Sequence, residues 1–188
     1  MSSLYRKCAG IVVFNNKGLV FLGNRVRFKN AWQFPQGGIE DGESIEEAAR
    51  RELFEETSIK TAKLVYLDNT PIRYTFNKTI QDNFRKKGVE TKGQDIYFSL
   101  FYFNGKEEEI NLKTAIPEFN KYKWDSLDFA VNNVISFKKE AYKYAAKKFK
   151  PIIQQYLTTI SWYYWFFVLN LCCIDFKVYV YGKYFAKL

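Results

Sequence analysis

Three glutamates near the end of one acidic stretch, Glu52, Glu55 and Glu56, are of the right type and spacing to hold a divalent cation. The stretch runs from Gly37 to Ile59, GGIEDGESIEEAARRELFEETSI, and concentrates acid in a chain whose formal net charge is +9. Ser44 followed three residues later by Glu47 forms a capping box, so a helix should begin just after Ser44, with Gly42 ending the turn before it. With Ile45 at zero and about 100° per residue, Ala48, Ala49 and Leu53 fall on an apolar arc from about −60° to about +80°. Glu52 and Glu56 fall inside that arc, at about −20° and about +20°, and Glu55 lies at its edge. A Glu-rich helix ordinarily turns its acids to water, and Glu46 and Glu47 fit that role, with Glu47 also the cap. Acids on the buried stripe are costly to desolvate unless something positive compensates them. Mg²⁺ or Mn²⁺, which prefer hard oxygen ligands, would do so, and spacings of three and four residues let the carboxylates converge. Arg51, one turn from both Glu47 and Glu55, is placed to hold a ligand carboxylate.

The rest of the composition narrows the chemistry. The chain has no histidine, which excludes His-based acid and base catalysis, Ser-His-Asp triads and His-ligated zinc. Cys8, Cys172 and Cys173 have no metal-ligand spacing and imply no disulfide framework, so a reducing cytoplasm is expected. The N-terminal MSSLYRKCAGIVVF is too interrupted for a signal peptide and reads as a first strand. A length of 188 residues, 47% of them hydrophobic, suits one domain with an appendage. The positive charge suggests a polyanionic partner.

These residues need elements to position them. Cys8 to Phe14 and Leu19 to Leu22, split by NNKG, read as a hairpin. The loop GNRVRFKNAWQFPQGG leads into the acidic helix. Strands are expected near Ala62 to Leu67, Ile72 to Phe76 and Asp95 to Phe103, with a long polar, basic loop, NKTIQDNFRKKGVETKG, between the last two. YKWDSLDFA reads as a short strand running into a helix capped by Asp125 or Ser126, and a basic helix follows from about Ser136. From Pro151 the composition changes, because Pro151 to Ile174 carries no charged residue. The domain is therefore expected to span residues 1–150, with 151–188 an aromatic-rich tail that Pro151 separates from the basic helix.

Gly37, Glu43, Arg51, Glu52, Leu53, Glu55, Glu56 and Ile59, at their spacings, resemble the signature of the Nudix hydrolases, enzymes that cleave nucleoside diphosphates linked to another group. One position departs: the family usually has Gly where Ser58 stands, and Ser in a left-handed C-terminal turn costs about 1 kcal/mol. The resemblance implies an α/β fold of the Nudix type, a mixed sheet sandwiched between helices. Over about Leu4 to Lys150 the chain is further similar to the family's bacterial RNA pyrophosphohydrolases, also described as dinucleoside polyphosphate hydrolases. The matching stretches are WQFPQGGI, PEF at Pro117 to Phe119, and VISFKKEAY at Val134 to Tyr142. The resemblance implies more than one Mg²⁺ or Mn²⁺ ion, with the backbone carbonyl of Gly37 as an extra ligand and Glu118 reaching the site as ligand or base. It also implies that Arg6 and Lys138 contact phosphate or base edges, and that Arg25 and Phe137 sandwich a base, a pairing whose stacking is worth about 1–3 kcal/mol.

Three functions fit these residues. The first is removal of pyrophosphate from the 5′-triphosphate end of RNA, which promotes decay. The second, sharing every catalytic residue, is hydrolysis of dinucleoside polyphosphates such as diadenosine tetraphosphate. The third is an inactive nucleotide-binding module, which the intact Glu52, Glu55 and Glu56 speak against. The tail is long enough to cross a bilayer, yet Gln154, Gln155 and Asn170 weaken its apolar character, so an extension outside the domain is favoured over membrane contact.

Overall fold

The computed structural model describes residues 4–26 and 31–184. Of the loop expected before the acidic helix, residues 27–30 lie outside that description. Strand β1 (Tyr5–Phe14) and β2 (Val20–Arg25) are joined by the expected turn, in which the Asn15 side chain accepts from the backbone N–H groups of Lys17 and Leu19. Two short strands follow, β3 (Trp32–Gln33) and β4 (Gln36–Gly38), and then helix α1 (Ile45–Thr57). Strands β5 (Lys63–Leu67) and β6 (Ile72–Thr75) precede helix α2 (Lys78–Lys86). That helix replaces the polar loop expected there: Asn77 caps it by accepting from the Ile80 N–H at 3.0 Å. Strand β7 (Gly93–Tyr102), β8 (Phe119–Asp125), α3 (Leu127–Asn133) and α4 (Lys139–Tyr184) complete the chain, with Ser126 the cap of α3.

The strands form one mixed sheet of order β3-β2-β1-β7-β5, with β4 on β1, β6 on β7 and β8 on β2. At its centre β1 and β7 run parallel, in register from Tyr5 and Gly93 to Phe14 and Tyr102. A parallel pair needs both faces covered, which is why Cys8 to Phe14 is apolar without alternation and wholly buried. Ala48, Ala49 and Leu53 of α1 pack on one face, against Ala9, Ile11 and Val13. On the other, Tyr142 of α4 stacks on Phe34 with ring centroids 4.5 Å apart, and Phe149 meets Phe98 edge-on. The chain thus has the mixed sheet between helices that its sequence implied.

Residues 1–150 and 151–188 form two compact units. Pro151 does not end the helix, contrary to expectation, but lies within α4. A proline forfeits one backbone hydrogen bond and crowds the preceding turn, and here the helix continues past both. No helix among the described residues is long and apolar enough to cross a membrane. The contacts expected of tail side chains beyond Trp162 lie outside the described residues.

Candidate active site

Every residue that the sequence offered as a catalytic, metal-holding or substrate-binding candidate, Arg51 apart, lines one cleft of about 1100 Å³. Its acidic wall is α1. The helix starts where expected: the Ser44 hydroxyl accepts from the Glu47 N–H at 3.2 Å, and the Glu47 carboxylate accepts from the Ser44 N–H at 2.8 Å. It ends on Ser58 in the left-handed region, at φ 64°, the conformation that favours glycine.

That start sets which acids turn inward. Glu56 is 6% exposed, and its Oε2 accepts one bond, from the Gln36 N–H at 3.1 Å. Burial pushes its carboxyl well above the usual range; the Gln36 bond opposes this and nearby Glu52 adds to it. Glu52 is also raised by burial, against a 2.7 Å bond donated by Arg51. The side chain of Glu55 is 56% exposed and lies 3.6 Å from Arg51. The expected convergence is therefore partial. Among the described residues, no three acidic, Cys or His side chains are gathered closely enough to hold an ion as they stand.

The donor set nevertheless suits a hard divalent cation. It offers only oxygens, and its most buried acid, Glu56, is held by a backbone N–H, with the Arg25 charge a lesser influence on it. A Cβ on Gly37 would fall inside the Glu52 carboxyl group, so the bare backbone of β4 and this carboxylate share one small space. Gly37, Glu52, Glu55 and Glu56 are the groups that could hold such an ion.

Arg51 organises this wall from behind. Its guanidinium donates to both oxygens of Glu43, at 2.8 and 2.9 Å, to the Gly38 carbonyl at 2.8 Å, and to Glu52. Arg51 holds the Glu43 carboxyl at about 2, well below the usual range. The sequence suggested Glu47 as a partner of Arg51; the cap engages Glu47 instead, and Glu43 from the loop takes its place.

Glu118 and Arg25 meet through the sheet. Strand β8 pairs with β2 so that Phe119 lies opposite Arg25, and Arg25 Nη2 donates to Glu118 Oε2 at 2.8 Å. Lys138, expected to reach phosphate or base edges, is 3% exposed and donates to Gln36 Oε1 at 2.6 Å and Gln33 Oε1 at 3.1 Å. Burial, then the neighbouring Arg25, push its pKa down to about 8. Phe137 is half-buried, 5.9 Å from the rings of both Tyr74 and Phe76. Arg6 is exposed at the rim, its guanidinium 5.6 Å from the Phe84 ring centroid.

Sequence reasoning missed Gln33, Gln36, Gln94 and Tyr74, a polar layer beneath the cleft in which Gln36 links Lys138 to Glu56. Lone glutamines carry no spacing signal. It also missed Ile80, Asn83 and Phe84, which line the cleft from the segment read as loop, and Phe76, which lines it from the end of an expected strand.

Comparison with known proteins bears on the family and the fold. A family model described as NUDIX domain matches residues 4–147. The RNA pyrophosphohydrolase of Wolbachia sp. subsp. Brugia malayi (strain TRS) is 39% identical over 150 residues, covering 80% of this chain and 92% of its own. That of Pasteurella multocida (strain Pm70) is 40% identical over 152 residues, covering 79% and 75%. The solved structure of the E. coli dihydroneopterin triphosphate pyrophosphohydrolase aligns with a TM-score of 0.56 at 16% identity, over 78% of this chain and 99% of that one. A C. elegans Ap4A hydrolase aligns at 0.50 and 16%, over 82% and 98%. At these identities the structural likeness speaks for fold alone.

Proposed function

Because the chain belongs to the Nudix family of hydrolases, we propose that it removes pyrophosphate from the triphosphorylated 5′ end of RNA, leaving a monophosphate and promoting decay. It is an enzyme acting on pyrophosphate bonds, and its family generally uses divalent ions such as Mg²⁺ or Mn²⁺. The observation that carries the reading is the pairing, in one cleft, of desolvated acids on α1 with a cationic and aromatic wall. When bound, such ions supply charge neutralisation on the phosphates and an activated water. Glu52, Glu55, Glu56 and the Gly37 carbonyl would hold them.

The chain's own residues do the rest. Arg51 positions Glu52, and Gln36 fixes one oxygen of Glu56 so that the other faces the cleft. Glu118 is in place to accept the proton of the attacking water. Its ion pair with Arg25 leaves a guanidinium that an arriving phosphate can draw away, which would free the carboxylate for that task. Phe137 offers a face for the terminal base. Lys138 acts from below, holding Gln36 in place.

Hydrolysis of dinucleoside polyphosphates is the alternative, since it needs the same groups. The RNA reading is favoured by the curated relatives' names and by the chain's positive charge. The deciding experiment compares kcat/KM for 5′-triphosphorylated RNA and for diadenosine tetraphosphate with saturating Mg²⁺. A preference for the RNA is expected; an equal or higher value for the dinucleotide would overturn the reading, and no turnover of either would reduce the chain to a binding module.

A further inference from the structure

The first turns of α4 carry a charge for which the reaction above has no use. Lys139, Lys143, Lys147 and Lys150 are exposed, and at about 100° per residue they fall within an arc of about 80°. Ala141, Tyr142, Ala145 and Phe149 are buried on the other side of the helix. At about 1.5 Å per residue the stripe is about 16 Å long. Lys148 is no part of it, because its Nζ lies 2.8 Å from the buried carboxylate of Asp68.

Folding alone does not favour this arrangement. Lys139 with Lys143, and Lys143 with Lys147, are like charges four residues apart, a spacing at which repulsion destabilises a helix. Lys139 also opens α4, where the positive end of the helix dipole opposes a cation. Two acids soften the stripe: Glu140 lies 2.8 Å from Lys143, and Asp128 lies 3.6 Å from Lys150. Among the described residues, Lys139 and Lys147 have no acidic partner. The stripe begins one residue after Lys138, which lines the cleft, so it carries positive charge from the cleft onto the outer surface.

Resting on the RNA reading, we propose that this stripe binds the phosphodiester backbone of the RNA body outside the cleft, beyond the nucleotides that the cleft encloses. The contact sets ammonium groups against phosphates, so it neither reads sequence nor needs unpaired bases. Its start beside the cleft favours the substrate's own backbone over any other polyanion. A dinucleoside polyphosphate is too short to reach it.

The test compares a 5′-triphosphorylated trinucleotide with an unstructured RNA several times longer that begins with the same three nucleotides. Kd for the full chain is measured without Mg²⁺, so that neither RNA is cleaved and monovalent counterions alone are released. At a slope of about −0.7 per neutralised phosphate, the longer RNA should lose about sevenfold more affinity than the trinucleotide between about 50 and 200 mM salt through Lys139 and Lys147 alone, and about 50-fold more through all four lysines. Changing all four together, Lys139→Gln, Lys143→Gln, Lys147→Gln and Lys150→Gln, should abolish that excess, while kcat/KM on the trinucleotide with Mg²⁺ and the melting temperature hold. The same four positions changed to Arg should keep the excess. An excess that survives in the glutamine variant would overturn the stripe, and if that variant also lost binding to phosphatidylserine vesicles, the charge would belong to a lipid surface instead. Absence of turnover on both RNAs, with diadenosine tetraphosphate cleaved, would overturn the RNA reading and this inference with it.

Discussion

Replacing Gly37 by alanine tests the metal wall through a single methyl group. Gly37 pairs with Ala9 in the sheet and is not among the positive-φ glycines, so its backbone accepts an alanine. The new Cβ would nevertheless fall inside the Glu52 carboxyl group. That carboxyl would have to retreat by about 1 Å or more, and a misplacement of this size is enough to cost roughly 100-fold in rate. The retreat also lengthens the 2.7 Å bond from Arg51, which keeps its other partners, Glu43 and the Gly38 carbonyl. Glu52 borders an open cleft and can swing into it, so the melting temperature should move by only a few degrees. The assay is kcat/KM on 5′-triphosphorylated RNA across a Mg²⁺ titration, beside a thermal melt. A rate within about threefold of wild type would refute the placement of Glu52 at the reacting centre, and a collapse in stability would show that Gly37 serves packing alone.

Glu56→Gln should bring turnover below about a tenth of wild type, while metal-free stability at pH 7 rises. The folded pKa of Glu56 is raised, so its ionisation weakens the fold above the unfolded value of about 4.3, and the gain should vanish below about pH 4. Mg²⁺ at about a hundred times its Kd should stabilise the wild type by roughly 2.7 kcal/mol, and this variant by much less. Lys138→Met should gain most over wild type near pH 7, where the buried ammonium is charged. With a folded pKa of about 8 against an ordinary 10.5, the gap should close by about 3 kcal/mol between those pH values, and a gap that stays constant would show that Lys138 is solvated. Ser58→Gly, which relieves the left-handed residue, should add about 1 kcal/mol and raise the melting temperature by roughly 2–4 °C. A chain ending at Lys150 should remain folded and as active as the full one by circular dichroism and RNA turnover; loss of either would place residues beyond 150 in the domain.

What the sequence revealed of the site was local. Ser44, Glu47 and the apolar arc of α1 fix a helix within a few residues of one another, so the inward turn of Glu52 and Glu56 could be read from periodicity. The Arg25 to Glu118 pair could not, because its partners are brought together only by the register of β2 on β8, 93 residues apart. Lys138 was expected to contact phosphate or base edges; its burial was not legible, because an ammonium is costly to bury and the two glutamines that offset that cost, Gln33 and Gln36, carried no signal. Helix α2 was hidden by its composition: Asn77 as a cap and Ile80 with Phe84 at i,i+4 were present but outweighed by the surrounding charge. Pro151 misled in the opposite direction, since one lost hydrogen bond was not enough to stop a helix.

The parallel pairing of β1 with β7 bears on how the chain is made as well as how it is held. Tyr5 pairs with Gly93, 88 residues later, and the whole of that ladder waits for β7 to be synthesised. At roughly 5–20 residues per second, the interval is about 4–18 s. Its turn brings β2 alongside early, but the other edge of Ile11, Val12, Val13 and Phe14 has no partner during that time. Long-range parallel strands also pair slowly once both are present. The strand that anchors the finished core is thus, on the ribosome, the nascent chain's most adhesive segment for the first half of translation.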